Sequence, residues 1–138
     1  MGDTLLEFKN LVTEFKTEGT VVRAVNGISF TLNIGETIGI VGESGSGKSV
    51  TSLSINRLIP NPPGDIIGGN ILYNGIDLLS LRYEEMREYR GKDIAMIFQE
   101  PMTSLNPVLT IKAQMNEVLI QHEGLDEESA TRRSIQML

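Results

Sequence analysis

The chain has 138 residues, 40% of them hydrophobic, with 18 acidic against 12 basic side chains and a net charge of -6. That composition suits one modest folded domain or part of a larger one; it is too apolar for a disordered polypeptide and carries no basic stripe to make nucleic acid its main partner. Cysteine is absent, which removes disulfides, thiolate metal sites and a cysteine nucleophile, and no apolar run approaches the roughly 18 residues of a membrane span.

The start Met1-Gly2-Asp3-Thr4-Leu5 lacks the basic and apolar regions of a secretory signal. Leu6 stands where a myristoylation pattern needs Ser or Thr, so a cytosolic location is expected. Leu5 to Val12 alternates imperfectly and predicts a first strand, followed by a polar loop, Thr13 to Gly19, that carries Phe15. Val21 to Ala24 predicts a short second strand and Gly27 to Asn33 a half-buried third, closed by a turn at Asn33-Ile34-Gly35-Glu36. Connections this short make the opening antiparallel. Ile38 to Val41 differs: a short apolar run of that kind predicts a strand buried on both faces of a parallel sheet.

The next residues, Gly42-Glu43-Ser44-Gly45-Ser46-Gly47-Lys48-Ser49-Val50, contain G-x-x-x-x-G-K-S between that strand and a helix. Phosphate chemistry explains the spacing. Gly42, Gly45 and Gly47 allow positive φ and close backbone approach, so successive N–H groups can turn inward around an anion. Lys48 adds a charge that reaches β- and γ-phosphates, Ser49 is placed to ligate Mg²⁺, and the helix start aims free N–H groups at the same place. The alternative, a glycine turn that binds nothing, is disfavoured by the strand before it and the helix after it.

The helix from Lys48 should stop before Pro60-Asn61-Pro62-Pro63-Gly64. Asn74-Gly75 between apolar residues predicts a hairpin, and Ser80 predicts the N-cap of a charged helix through Tyr89, with Gly91 at its end. Asp93 to Phe98 reads as another buried strand, with Gln99 at its carboxyl edge. Ligands of open α/β sheets bind beyond such edges. Gln99 therefore either offers an oxygen to Mg²⁺ and positions a water, or simply caps the strand. Glu100 to Pro107 is a loop with two prolines; Thr110 then predicts a helix cap, with Ile111, Met115, Val118, Leu119 and His122 at helical spacing. His122, the single histidine, is expected to be an exposed or helix-end residue, and Met102, Met115 and Met137 to be packing atoms. Asp126, Glu127 and Glu128 suit the start of a last helix. That helix runs to Leu138 without a stop signal, so a fragment of a longer polypeptide is expected.

The order of parts, with Gly39 to Ser49 and then Met96-Ile97-Phe98-Gln99-Glu100-Pro101-Met102-Thr103-Ser104-Leu105-Asn106-Pro107, resembles the ATP-binding subunits of ABC transporters, the oligopeptide/dipeptide importer branch in particular. The resemblance runs from about Leu5 to the last residue. It implies an α/β P-loop NTPase core of ABC ATPase type with a β-rich antiparallel N-terminal part. Residues 1–107 would be the nucleotide-binding core and 108–138 the incomplete start of a helical subdomain. It also implies ATP and Mg²⁺ as ligands, Gly42 to Ser49 as the Walker A loop, Lys48 as the phosphate lysine, Ser49 as a magnesium ligand and Gln99 as the Q-loop glutamine. Phe15 becomes the candidate for stacking on adenine, with Val22 in the same region and ordinary packing as the alternative. The implied partners are transmembrane permease subunits, a second ATP-binding subunit and, indirectly, an extracytoplasmic peptide-binding protein, and the implied location of this protein is peripheral, at the cytoplasmic face of the cell membrane. The strand ending in Asp-Glu, the Leu-Ser-Gly-Gly-Gln signature and the switch histidine of such proteins are expected beyond Leu138, so this chain alone should hydrolyse ATP poorly. Two other readings stand beside it: another P-loop enzyme, for which no Asn-Lys-x-Asp guanine motif is present, and a non-hydrolysing regulatory module.

Overall fold

The computed structural model describes residues 3–99 and 105–138. Two compact units are distinguished, Met1–Met86 and Arg87–Leu138. The first unit is built on a four-stranded antiparallel sheet of β1 (Thr4–Thr17), β2 (Thr20–Asn33), β3 (Gly64–Tyr73) and β4 (Ile76–Asp77), in the order β2-β1-β3-β4. The antiparallel character expected of the opening is present. Its segmentation is not: where three short strands were expected, the chain makes two 14-residue strands. Register shifts between Phe8 and Leu11 and between Thr13 and Glu14 switch which side chains face inward, so a single strict alternation never runs the length of either strand.

Phe8, only 1% exposed, anchors the core, with its ring stacked on Phe30 at a centroid distance of 4.3 Å. Leu6, Leu11, Val25, Ile71, Leu78 and Met86 are buried as well. The expected hairpin turn is formed by Asn74 at φ 48° and Gly75 at φ 81°, the pair of positive values that a type I′ turn requires. The turn after β2 also forms where expected, with Glu36 N–H donating to Asn33 O at 3.1 Å and the Glu36 carboxylate accepting from Asn33 N–H at 2.8 Å.

α1 (Lys48–Ile55) follows the glycine loop. Its serine and threonine hydroxyls fold back onto carbonyls one turn earlier, Thr51 to Gly47 and Ser54 to Val50. α2 (Tyr83–Tyr89) starts later than Ser80, which sits in a turn and donates to Asp77 O at 2.8 Å. The cap is Arg82 instead, because Glu85 reaches back to accept its N–H at 2.7 Å, the reciprocal half of a capping box. The Arg82 guanidinium, and after it that backbone bond, hold the Glu85 carboxyl below its usual range.

The apolar segment from Ile38 to Val41 does not form the expected strand. Residues 36–43 carry no strand pairing and Val41 is 92% exposed. Ile94 makes a lone bridge to Arg90, while Ile97 is 95% exposed. A parallel strand is buried only by neighbours on both edges and both faces, and among the described residues neither segment has them.

In the second unit, α3 (Ile111–Glu123) and α4 (Glu127–Met137) form a helical hairpin. Both expected starts are present: Thr110 accepts from Ala113 N–H at 3.1 Å and Asp126 from Ser129 N–H at 2.9 Å. Gly124 ends α3 at φ 67°. The apolar spacing is misleading, however, since Ile111 and Val118 are exposed while Asn116, Leu119, Ala130 and Ser134 are buried. Asn116 is the hub between the helices. Its amide nitrogen donates to Glu127 Oε1 at 3.0 Å and Thr131 Oγ1 at 2.8 Å, and its oxygen accepts from Ser134 Oγ at 2.9 Å. A polar group with every partner supplied can stand in the interior, which displaces the apolar residues outward. His122, in the last turn of α3, packs half-buried over Gly91 rather than standing free.

Candidate phosphate-binding site

The loop 42–49 is closed at its tip by Ser46 N–H donating to Glu43 O at 3.2 Å. Gly45 and Gly47 take φ values of 81° and 90°, as the sequence suggested, while Gly42 does not use a positive φ. Gly42 is needed for closeness instead: a Cβ there would lie 2.6 Å from Ser46 Oγ. Gly47 combines both demands. A Cβ on it would stand 2.1 Å from the carbonyl oxygen of Ala24 in β2, so the end of the loop rests directly on the sheet's backbone.

Gly47 is also the N-cap of α1, and no side chain caps that helix. Thr51 N–H is satisfied by Gly47 O at 2.8 Å, which leaves the N–H groups ahead of it as the free donors that every helix start carries. With no acidic residue in the first turn, their partial positive charge is not neutralised locally. Lys48 reinforces it. Its ammonium lies inside the loop, donating to the carbonyls of Gly42 at 2.8 Å and Glu43 at 2.6 Å and to Ser46 Oγ at 3.3 Å. Ser49 is exposed at the second helical position and Glu43, Ser44 and Ser46 are exposed around the loop, with Val50 half-buried behind them.

A helix start with free N–H groups beside a positioned ammonium is a donor set suited to a polyanion such as a phosphate chain. The same donor set fits a magnesium-bound phosphate, because Ser49 Oγ is an exposed oxygen at the helix start; among the described residues no cluster of three acidic or imidazole side chains competes as a metal site. Two supports of the loop, Ala24 and Thr13, were missed from sequence, and Ser46, already named in the loop, has a contact with Lys48 that was not anticipated. Ala24 supplies the backbone on which Gly47 sits, and Thr13 of β1 fixes α1 through Ser54.

Phe15 lies within β1 rather than in a loop, opposite Val22 of β2 and Gly64 of β3, and is half-buried. The register corrects the expected loop because the strand continues through the bulge at Thr13 and Glu14. Gln99 belongs to the second unit and is exposed. Glu100 to Ser104, the rest of the segment expected to accompany it, and with it Met102, lie outside the described residues.

Comparison with known proteins gives consistent results. The family model described as ABC transporter matches residues 25–138. The oligopeptide transport ATP-binding protein OppD of Bacillus subtilis is 53% identical over 134 residues, 97% of this chain and 37% of the relative. The dipeptide transport ATP-binding protein DppD of the same organism is 47% identical over 136 residues, 99% of this chain and 41% of the relative. A dimeric bacterial ABC transporter cassette superposes with a TM-score of 0.81 at 24% identity, covering 96% of this chain and 55% of the cassette. A post-hydrolysis state of an ATP-binding cassette bound to ADP and Pi gives 0.78 at 22% identity, with the same coverage. The chain thus spans about two fifths of the curated relatives it matches, and the solved cassettes share its fold.

Proposed function

The chain belongs to the ABC transporter family, and from that premise we propose that the intact protein is an ATP-binding and ATP-hydrolysing subunit that energises import of oligopeptides or dipeptides. The observation that supports this most is the placement of Lys48 Nζ inside a loop whose end is seated on Ala24 and whose helix start has no side-chain cap. The names of the two relatives, oligopeptide and dipeptide transport ATP-binding proteins, support the choice of peptide.

Residues 1–107 act as the nucleotide-binding core and 108–138 open a helical subdomain. Gly42, Glu43, Ser44, Gly45, Ser46, Gly47, Lys48, Ser49 and Val50 surround the phosphates. The Lys48 ammonium exchanges two neutral carbonyl partners for charged phosphate oxygens, a stronger acceptor set. Phe15 offers its ring to adenine, and Gln99 holds the attacking water by its amide. Ser49 and Gln99 would each offer an oxygen to Mg²⁺, which when bound would supply positive charge against the transferring phosphoryl group. Positioning and charge neutralisation carry the catalysis, since phosphoryl transfer to water asks for little covalent chemistry from the protein.

The partners are transmembrane permease subunits, a second ATP-binding subunit that is a like or unlike copy, and indirectly an extracytoplasmic peptide-binding protein. Attachment is peripheral, at the cytoplasmic face of the membrane; among the described residues no helix is long and apolar enough to cross it. The experiment is peptide uptake into vesicles holding the intact protein with its permease and binding protein. Uptake should require ATP and disappear in Lys48→Ala, whereas undiminished uptake by that variant would refute the mechanism.

A further inference from the structure

Gly64 opens β3 directly opposite Phe15 of β1. Its φ lies outside the left-handed region, so backbone freedom does not explain a glycine at this position. Space does. A Cβ on Gly64 would stand 2.5 Å from Ile59 Cγ2, and 2.7 and 3.1 Å from Cε1 and Cδ1 of Phe15. The Phe15 ring therefore rests on the bare Cα of Gly64. The backbone of this seat is held on both sides, with Gly64 N–H donating to Pro60 O and Lys16 N–H donating to Pro63 O, each at 2.8 Å. If residue 64 gained a side chain, the ring would have to give way rather than the strand.

The geometry points to Gly64 as a positioning residue for nucleotide-base recognition: its missing side chain is the slot that sets the tilt of the Phe15 ring. This rests on Phe15 being the adenine platform. Stacking needs near-parallel overlap of the two rings, so a tilted platform loses the base's share of the affinity. The phosphate share should be untouched, because the nearest neighbours of that slot are Ile59 and Phe15 and not the residues of the glycine loop. Gly64 thereby governs how strongly a nucleotide is preferred over a bare polyphosphate chain.

The test measures the affinity of the intact protein for ATP and for inorganic tripolyphosphate by calorimetry, and takes their ratio. Wild type is compared with Phe15→Ala, Gly64→Ala and the pair Ile59→Ala with Gly64→Ala, in which only the contact with the ring remains. Base stacking contributes about five- to hundredfold in affinity. The ratio should fall by about tenfold in all three variants, with tripolyphosphate binding unchanged. A fall in Phe15→Ala but in neither Gly64 variant would overturn the role of Gly64 and leave the platform standing. No fall in Phe15→Ala would overturn the platform itself. Equal loss of both ligands in the Gly64 variants would reduce Gly64 to a folding requirement and likewise overturn the inference.

Discussion

The hydroxyls of Thr13 in β1 and Ser54 in α1 meet at 3.3 Å with both side chains fully buried. Ser54 directs its proton to Val50 O at 2.7 Å, so Thr13 is the donor between them. This one bond ties the helix that follows the glycine loop to the central strand of the sheet. Thr13→Val, which keeps the shape, should cost about 1 kcal/mol. Ser54→Ala strands the Thr13 hydroxyl and should cost about 1–3 kcal/mol. Urea unfolding of the single and double variants checks the coupling: the double change should cost less than the sum of the two.

Two loop glycines should respond differently to alanine. Both Gly45 and Gly47 have positive φ, but a Cβ on Gly45 meets nothing within 4 Å whereas one on Gly47 meets Ala24 O at 2.1 Å. Gly45→Ala should cost only the strain of the left-handed region, about 1–2 kcal/mol. Gly47→Ala must also push the loop off β2, so it should cost more and weaken nucleotide binding at least tenfold. Paired unfolding and ATP-binding measurements on the two variants separate strain from displacement.

In the second unit, Asn116 is 2% exposed and satisfies partners on α4 through both amide atoms. Asn116→Leu keeps the volume but strands the Ser134 hydroxyl and should destabilise the helical hairpin by about 1–3 kcal/mol. Adding Ser134→Ala should recover part of that loss. Amide exchange across residues 111–137 reads it locally.

Asp126 caps α4 and its pKa is lowered, first by the backbone N–H of Ser129 and then by the Ser129 hydroxyl. A carboxyl whose folded value lies below its unfolded value contributes stability that is present at neutral pH and lost as pH falls through the folded value. The start of α4 should therefore fray under acid, below the usual carboxylate range. Asp126→Asn keeps a capping oxygen without a titrating group, and should flatten that part of the pH dependence. Helical signal followed from neutral to acid pH in both proteins checks the sign.

What the sequence made legible was chemistry tied to a single short stretch. Gly45 and Gly47 announced a tight loop ahead of a helix, Asn74-Gly75 a hairpin, and Thr110 and Asp126 the starts of two helices, because each device works through neighbouring backbone groups. Features that depend on distant partners were hidden. The bulges that let β1 run unbroken past Phe15 arise from its pairing with two other strands at once. Ile40 and Ile97 carry the apolarity of buried strands, yet burial belongs to neighbours that a pattern of residues does not supply. Asn116 and Ser134 sit inside because they satisfy each other, which a scan for apolar spacing cannot anticipate.

We propose that Lys48 and the backbone of residues 42–50 hold the phosphates of ATP. Calorimetric titration of the intact protein with magnesium ATP, wild type against Lys48→Ala, addresses it directly. A charge-assisted contact of this kind is worth about 1.5–3 kcal/mol, so the variant should bind ATP about ten- to hundredfold more weakly while unfolding at the same denaturant concentration. Equal affinity in the two proteins would contradict the account.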